Sequence, residues 1–235
     1  MTIRLLLAWL VLAGVVQQPA ELTVLFVGNS LTAVNDLPGL VRRIGDADGQ
    51  RVRTWSVTAD DVGLPEHWSD GRAARELARR RPAFVVLQQG PSSLPESRVV
   101  LRDYAARFAA AAADAGAKPA MYMVWPSARR SGDFDRVIES YTLAARDIDA
   151  RLLPVGTAWR EAWKSDPTLA LYGADGFHPS ERGSWLAALV IYCGLTGRTP
   201  EDVRLPRGFP SPDALYRQSA AAALPANTVR DILPE

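Results

Sequence analysis

The chain has 235 residues, 48% of them hydrophobic and 23% charged, which is typical of a globular protein with a sizeable core. Its 27 lysines and arginines nearly balance 26 aspartates and glutamates, and the resulting net charge of +1 gives no reason to expect a nucleic-acid partner. The single cysteine, Cys193, excludes an intrachain disulfide and, with only two histidines, a four-ligand Cys/His zinc site. No motif supports a carboxylate site for Mg or Ca, so we expect no metal.

The first twenty residues predict an export signal. Arg4 precedes an apolar run at residues 5–16, which matches the charged and apolar regions of a secretory signal and is too short to cross a bilayer comfortably. No small-x-small cleavage site precedes Ala20, so an uncleaved anchor or an additional core segment remains an alternative. We expect a secreted or periplasmic protein without stable membrane insertion after signal cleavage, and a single domain over residues 21–235.

Apolar runs and helical patterns alternate along the remainder of the chain. Residues 22–27 form a continuous apolar run ended by Gly28, which indicates a strand buried on both faces of a parallel sheet. Further strands are expected at residues 51–57, 83–87, 120–125 and 152–155. Helices are expected at residues 37–46, 72–80, 97–115, 133–148 and 180–195. This alternation predicts an α/β fold with a five-stranded parallel sheet between helices, a three-layer α/β/α sandwich.

The last part of the chain predicts an extension that packs on this domain. Residues 200–212 are rich in proline and are expected to run over the surface, and a short helix is expected at residues 213–222.

Ligands of such a sheet bind beyond the carboxyl ends of the strands, where several familiar motifs are missing here. The chain has no dinucleotide-binding fingerprint, no phosphate-binding loop and no Gly-x-Ser-x-Gly nucleophile turn. We therefore expect no cofactor. A serine hydrolase would need another arrangement.

Ser30 and His178 provide a different arrangement for a serine hydrolase. Ser30 follows the first strand and Gly28, so its hydroxyl is expected at the top of the sheet, although Gly-Asn-Ser alone is also typical of turns and helix caps. A serine nucleophile needs a base, which histidine supplies near neutral pH. His178 lies three residues after Asp175 in a loop with glycine and proline, which lets the carboxylate reach the imidazole. The loop alone could equally be an Asp turn with a surface histidine, but with Ser30 it indicates catalysis.

The segments Gly28-Asn29-Ser30-Leu31-Thr32 and Asp175-Gly176-Phe177-His178-Pro179-Ser180 together resemble the SGNH/GDSL hydrolase superfamily of esterases and lipases. The resemblance covers roughly residues 22–199. It implies a flavodoxin-like fold with Ser30 as nucleophile, His178 as base and Asp175 as the acid that orients it.

The oxyanion hole matches the family less well. The family combines the nucleophile's own N–H, here that of Ser30, with a glycine N–H after the second strand and an asparagine side chain in a Gly-x-Asn pattern after the third. Gly63 resembles the glycine, but after Gly90 a serine stands where asparagine is expected. A glutamine amide carries the same donor on a longer side chain, so we expect either Gln88 or Gln89, which alternate in direction, to replace it. This block resembles a little-characterised bacterial branch of the superfamily.

Two further residues are candidates for the substrate cleft. Asn29 adjoins the nucleophile, and Trp125 ends the fourth strand, where an aromatic face can stack on a sugar, although core packing is also typical of such a Trp. His67 beside Trp68 is interpreted as a packed pair outside catalysis.

The resemblance implies a serine esterase that acts on a small-molecule or polysaccharide ester by an acyl-enzyme mechanism. Among the family's substrates, which include lipids and thioesters, export favours short-chain esters or acetylated carbohydrates. Two alternatives remain open. One is a non-catalytic carbohydrate-binding or scaffold protein that has lost an efficient oxyanion hole, and the other is an acyltransferase that uses the same serine.

Overall fold

The computed structural model describes residues 20–224, and a five-stranded parallel sheet forms its centre. The strands are β1 (Leu22–Gly28), β2 (Val52–Thr58), β3 (Phe84–Leu87), β4 (Lys118–Tyr122) and β5 (Arg151–Leu153). Their order is β2-β1-β3-β4-β5, and all neighbours run parallel. This is the flavodoxin-like order, in which the chain reverses direction across the sheet beside β1 and opens a crevice there. The predicted fold class is therefore confirmed.

Helices cover both faces of the sheet. In chain order they are α1 (Ser30–Ala33), α2 (Leu37–Asp48), α3 (Leu64–Asp70), α4 (Arg72–Arg80), α5 (Pro95–Ala115), α6 (Phe134–Asp147), α7 (Val155–Ser165), α8 (Glu181–Thr196) and α9 (Asp213–Ala223). Helix α8 contacts α2, α7 and α9 on one side, and α3 to α6 form the other layer. Because both faces are covered, the central strands are mostly apolar, as in β3, where every residue is buried.

Two strands end earlier than the sequence predicts. β4 ends at Tyr122 instead of residue 125, although residues 123–125 stay fully buried. β5 ends at Leu153 because Pro154 has no N–H for the sheet and α7 begins at Val155. The prediction also omitted α1, α3 and α7. α3 begins next to a proline, and α7 contains β-branched and tryptophan residues that weaken a helical pattern.

The carboxylate of Asp48, at the end of α2, is buried and accepts three hydrogen bonds. Tyr192 Oη donates at 2.7 Å, Arg198 Nη2 at 2.9 Å and the backbone N–H of Arg204 at 2.9 Å. These four residues, called here the Asp48 cluster, connect α2 to the end of α8 and to the C-terminal extension. Burial by itself raises the pKa of Asp48, but the three hydrogen bonds outweigh it and hold the pKa below its ordinary value.

The predicted signal segment, residues 1–19, and residues 225–235 lie outside the described part of the chain. Between residues 20 and 224, no helix is long and apolar enough to cross a membrane. The same residues contain no group of three or more His, Cys, Asp or Glu side chains arranged to hold a metal ion.

Candidate active site

The turn between β1 and α1 places Ser30 at the carboxyl edge of the sheet. Asn29 is the N-cap of α1, and its Oδ1 accepts the N–H of Leu31 at 3.1 Å. Asn29 Nδ2 donates to the carbonyl of Val62 at 3.1 Å, which connects the turn to the loop after β2. Both ends of the Asn29 amide are therefore held, and the backbone that carries Ser30 has a defined direction.

The loop that carries His178 is held by its own backbone. Gly173 N–H donates to the carbonyl of His178 at 2.7 Å, and Tyr172 forms an isolated antiparallel bridge with Pro179. Gly176 has φ +69°, a left-handed conformation that a side chain would strain, and its carbonyl accepts the N–H of Ala128 at 2.8 Å. These contacts fold the segment into a tight loop that presents Asp175 and His178 together.

The three predicted catalytic side chains meet in one chain of hydrogen bonds. Ser30 Oγ lies 2.8 Å from His178 Nε2, and His178 Nδ1 lies 2.5 Å from Asp175 Oδ2. The other carboxylate oxygen, Asp175 Oδ1, accepts the backbone N–H groups of Phe177 and His178, each at 3.0 Å. The sequence places Ser30 and His178 148 positions apart, and the fold brings them into contact.

Electrostatics at Asp175 determine the protonation pattern of this chain. The hydrogen bond from His178, with those from the backbone of Phe177 and His178, lowers the pKa of Asp175 to about 2. The carboxylate is therefore charged near neutral pH and can only accept, so Nδ1 of His178 carries the proton. Nε2 of the neutral imidazole then presents its lone pair to the Ser30 hydroxyl, which is the tautomer a general base requires.

Asn35 connects the segment after α1 to the histidine loop. Its Nδ2 donates to the carbonyl of Pro179 at 3.1 Å and to Ser184 Oγ at 2.9 Å. Asn35 adopts a left-handed backbone with φ 58°, which asparagine tolerates better than most residues. Asn35 was not among the predicted site residues, because nothing local in the sequence indicates a partner 144 positions away.

Of the two glutamines expected as alternatives for the oxyanion donor, Gln88 has no N–H left for a substrate. Its side chain is fully buried, and Nε2 donates to Asn29 Oδ1 at 3.0 Å and to the carbonyl of Gln89 at 2.8 Å. Oε1 accepts the Asn29 N–H at 2.9 Å and the Thr32 hydroxyl at 2.7 Å. Both N–H groups are thus used inside the protein, and none remains for a substrate. We call Gln88, Asn29 and Thr32 the Gln88 cluster.

Gln89 points in the other direction, as the alternation along a strand requires. Its Oε1 accepts the N–H of Leu64 at 3.3 Å, which places the amide beside Gly63, and its Nε2 donates to Ser92 Oγ at 3.1 Å. Within residues 20–224, neither the second N–H of this amide nor the backbone N–H of Ser30 has a protein acceptor.

Gly63 differs from the prediction in the partner of its N–H. This N–H donates to Glu66 Oε2 at 2.8 Å, because Glu66 lies in the first turn of α3 and reaches back to the start of the helix. The N–H of Gly63 is therefore occupied by a carboxylate and becomes available to an oxyanion only when the Glu66 side chain moves away.

The two predicted cleft residues are in fact buried supports, so that prediction is wrong. Trp125 has no exposed surface, stacks on Trp159 with ring centroids 3.6 Å apart, and donates from Nε1 to the carbonyl of Phe177 at 2.9 Å. The indole therefore supports the loop that carries His178 through this hydrogen bond, and it has no exposed face on which a sugar could stack. Asn29 is 9% exposed, and its side chain is used in hydrogen bonds to Leu31 in the turn and to Val62 in the loop after β2.

His67 is also a support. Its side chain is buried, and its Nε2 lies 2.7 Å from the carbonyl of Gly28 at the end of β1. A carbonyl only accepts, so Nε2 carries the proton in this contact. Trp68 packs edge to face on Phe108, with ring centroids 5.2 Å apart. The predicted role outside catalysis agrees with these contacts, although His67 contacts the nucleophile strand instead of its neighbour Trp68.

Comparison with known proteins identifies the family. No family model matches the chain, and no curated protein sequence matches it. A solved structure from Slackia heliotrinireducens, described as an SGNH hydrolase, is 30% identical over 73% of this chain and 97% of that chain, with a TM-score of 0.61. The chain belongs to the SGNH/GDSL hydrolase superfamily. The superfamily is one of hydrolases and esterases, and the resemblance stated from the two end segments is confirmed.

More distant solved structures share the fold. A DUF4886 family protein from Bacteroides uniformis is 18% identical over 86% of this chain and 94% of that chain, with a TM-score of 0.73. A catalytic mutant of an acetylxylan esterase from Geobacillus stearothermophilus is 15% identical over 76% of this chain and 96% of that chain, with a TM-score of 0.54. At these identities the similarity concerns the fold alone.

Proposed function

We propose that this SGNH/GDSL hydrolase is a serine esterase that cleaves carboxylic esters through an acyl-enzyme intermediate. The observation that carries the proposal is the continuous contact from Ser30 Oγ through His178 to Asp175, at 2.8 Å and 2.5 Å. A serine hydroxyl is a weak nucleophile unless a base takes its proton, and this arrangement supplies the base, its tautomer and a charge that stabilises the imidazolium.

In the first step, Ser30 Oγ attacks the ester carbonyl carbon while its proton moves to His178 Nε2. The carbonyl oxygen becomes an oxyanion in the tetrahedral intermediate. When the intermediate collapses, the bond to the alcohol oxygen breaks, and His178 returns the proton to that oxygen. The alcohol leaves, and the acyl group stays on Ser30.

Water completes the cycle by the same route. His178 Nε2 takes a proton from water, whose oxygen attacks the acyl carbon, and the second intermediate releases the carboxylic acid and restores the Ser30 hydroxyl. Asp175 stays ionised throughout and compensates the positive charge that His178 carries in each intermediate.

The oxyanion is proposed to bind the Ser30 N–H and the Gln89 amide. Both groups have an N–H without a protein acceptor within residues 20–224, and both lie at the carboxyl edge of the sheet, where the site is. The Gly63 N–H would join them only after it loses its contact with Glu66. One preorganised donor of this kind contributes about 3–4 kcal/mol to stabilisation of the transition state.

The proposed substrates are water-soluble esters with a short acyl group, including acetylated carbohydrates. The side chains of Asp175 and His178 are 50% and 35% exposed, so the catalytic face is open and can admit a polymer. A long acyl chain would instead require a buried apolar channel to remove it from water. The similarity in fold to an acetylxylan esterase agrees with this choice, as does the proposed secretion to a compartment that contains polysaccharides.

Hydrolysis of p-nitrophenyl acetate, butyrate and octanoate by the purified protein tests the proposal. We expect the highest kcat/KM on acetate. In a Ser30→Ala variant of equal folded content, kcat/KM should fall by at least about 1,000-fold. Equal rates from both proteins would reject Ser30 as the nucleophile. A maximum on octanoate would retain the serine mechanism and reject the proposed acyl-chain length.

Product analysis separates hydrolysis from the two alternatives. With an added alcohol such as a xylo-oligosaccharide, a hydrolase releases free acetate, whereas a transferase releases a new ester of the added alcohol. A fluorophosphonate that adds to wild-type protein but not to Ser30→Ala would show a reactive serine and reject a purely binding role.

A further inference from the structure

The side chain of Gln88 lies against the backbone of the nucleophile turn. A Cβ atom at Gly28 would overlap Gln88 Oε1 and would come within 2.6 Å of Thr32 Oγ. Gly28 therefore leaves room for the Gln88 amide to pass across the end of β1. The glycine of this segment and the glutamine after β3 thus form one structural unit.

The hydrogen-bonding capacity of the Gln88 amide is completely used. Its oxygen accepts two hydrogen bonds, from the Asn29 N–H and the Thr32 hydroxyl, and its nitrogen donates two, to Asn29 Oδ1 and the Gln89 carbonyl. Two of the four contacts are with Asn29, one to its backbone and one to its side chain. An amide is the only common side chain with this pattern of two acceptor sites and two donors at one planar end.

We propose that Gln88 is a positioning residue for the Ser30 nucleophile and that it acts through Asn29. The inference rests on the proposed esterase function. Gln88 determines the orientation of the peptide before Ser30, and so the direction of both Ser30 Oγ and the Ser30 N–H. Gln88 does not touch the substrate, whereas its neighbour Gln89 is the proposed oxyanion donor.

The geometry explains why position matters here. Asn29 has φ −117° and ψ −154°, an extended conformation directly before a helix, so a small rotation there would swing Ser30 away from His178. Without Gln88, the Asn29 N–H would lose its buried acceptor, and Asn29 Oδ1 would keep only the Leu31 N–H. A nucleophile displaced by about 1 Å loses on the order of 100-fold in rate.

Gln88→Met and Gln88→Glu test the role of the amide. Methionine keeps the size of the side chain and removes all four hydrogen bonds. Glutamate keeps the acceptors but places an oxygen against two acceptor oxygens that now lie 3.0 Å and 2.8 Å from Nε2. For p-nitrophenyl acetate we expect kcat to fall on the order of 100-fold in both variants, with KM changed by less than about threefold.

Thr32→Val and Ser219→Ala complete the set. Thr32→Val removes one of the four hydrogen bonds of the Gln88 amide. We therefore expect kcat to fall about 3–10-fold, less than in the Gln88 variants, and folding to be disturbed less than in those variants. Ser219→Ala removes an equally buried hydroxyl that donates to the Leu215 carbonyl in α9. This control should lose some stability and keep the kcat of wild type.

A double-mutant cycle with Asn29→Ala decides whether Gln88 acts through Asn29. We expect the kcat of the double variant Asn29→Ala/Gln88→Met to lie within about threefold of the kcat of the slower single variant. The reason is that both changes release the same turn, so their effects do not add. Losses that multiply would show an independent contact and overturn the proposed route. A folded Gln88→Met with the kcat of wild type would overturn the positioning role while Ser30→Ala still confirms the nucleophile.

Failure of the proposed function has a different signature. If the wild type shows no Ser30-dependent turnover and Ser30 takes no fluorophosphonate, both the esterase and the positioning role are rejected together. If Gln88→Met is too unstable to assay, a Thr32→Val enzyme with unchanged kcat is sufficient to reject the positioning role.

Discussion

Within residues 20–224, the Gln88 cluster and the Asp48 cluster are two buried polar clusters at opposite edges of the sheet. The Gln88 cluster lies at the carboxyl edge of the sheet, next to the start of α1. The Asp48 cluster lies where α2 and α8 end, on the far side. Gln88 holds its neighbours with a neutral amide, whereas Asp48 holds Tyr192, Arg198 and the Arg204 backbone with a buried charge.

The difference shows how burial serves two purposes in one core. At Asp48 every contact closes inward, and the charged carboxylate joins three segments of the chain. The hydrogen bonds of the Gln88 amide are also made within the protein, but the adjoining Ser30 keeps its hydroxyl in contact with His178 and its N–H without a protein acceptor within residues 20–224. A buried charge there would alter the electrostatics of His178, the proposed catalytic base, so a neutral support suits this edge of the sheet. We therefore expect changes near the catalytic edge to affect turnover and changes at Asp48 to affect stability.

The largest effect is expected for Asp175→Asn at the catalytic edge. Asparagine keeps the shape but removes the charge that fixes the Nδ1–H tautomer and compensates the imidazolium, so kcat on p-nitrophenyl acetate should fall about 1,000-fold or more. Asp114→Asn, at an exposed position near the end of α5, is the matched control and should keep full activity. A kcat within tenfold of wild type would reject Asp175 as the orienting acid.

Asp48→Asn should have the opposite effect to Asp175→Asn, with a loss of stability and no loss of turnover. The amide removes the charge that accepts from Arg198, Tyr192 and Arg204, and we expect a loss of about 2 kcal/mol in the free energy of unfolding. For a chain of this size that corresponds to a melting temperature lower by roughly 5 °C, measured by circular dichroism. The kcat of the folded protein should be unchanged.

Asp46→Asn is the control for this change, because Asp46 lies on the same helix with its side chain exposed. Its unfolding free energy should stay within about 0.5 kcal/mol of wild type. A comparable loss in both variants would mean that the charge of α2, and not the buried contact, carries the stability.

An intermediate effect is expected at Asn35, which joins the α1 side to the histidine loop. Asn35→Asp cannot donate to the Pro179 carbonyl, and the weaker hold on His178 should lower kcat about tenfold, or about 1.4 kcal/mol, at nearly constant KM. Asn35→Gly accepts the left-handed backbone without strain and lacks the same amide. If the hydrogen bond from the Asn35 amide supports turnover, both variants should show the same loss in kcat. A fully active Asn35→Gly would show that this hydrogen bond does not contribute to turnover.

The smallest effect is expected in the pH dependence of stability. The pKa of Asp175 is lowered from an ordinary value of 3.8 to about 2 by the hydrogen bonds from His178 and the backbone. Between these values the unfolded chain binds a proton that the folded chain does not, so the contribution of Asp175 to stability is present above about pH 4 and is lost as the pH falls toward 2.

Urea unfolding of wild type and Asp175→Asn at pH 5 and pH 2.5 measures this contribution. The difference in midpoint between the two proteins should shrink at the lower pH. We expect it to be small even at pH 5, because the side chain is half exposed and solvent screens its interactions. A difference that grows as the pH falls would contradict the lowered pKa.

Much of the fold was predictable because its signals are local. A continuous apolar run predicts a buried parallel strand, and the alternation of such runs with helices predicts the layered sheet. The helices that were missed, α1, α3 and α7, are short or contain residues of low helical propensity, and their stability comes from packing and capping instead. The end of β5 was misplaced for a related reason, since α7 begins directly after Pro154.

The candidate site divides in the same way. Residue type and spacing were sufficient to select Ser30, Asp175 and His178, because a nucleophile, a base and a carboxylate near the base are chemical requirements that few residues in this chain satisfy. Sequence left open which of Gln88 and Gln89 faces the oxyanion, and it placed Trp125 in the substrate cleft, whereas the Trp125 side chain lies in the core. The sequence gives the residue type but not the environment of the side chain. It therefore does not distinguish an exposed amide from a buried one, or an indole in a cleft from an indole in the core.

By itself, then, the sequence determined the α/β architecture, the family and the three candidate catalytic residues, whose roles stay a proposal. Only the tertiary structure decided which amide is used up inside the protein, which one lies beside Gly63, and that Asn35 joins segments 144 positions apart. The physical reason is that strand periodicity and side-chain chemistry are properties of nearby residues. Whether a donor is satisfied depends on partners that come from β1, β3, α1 and α8, and only folding brings these together.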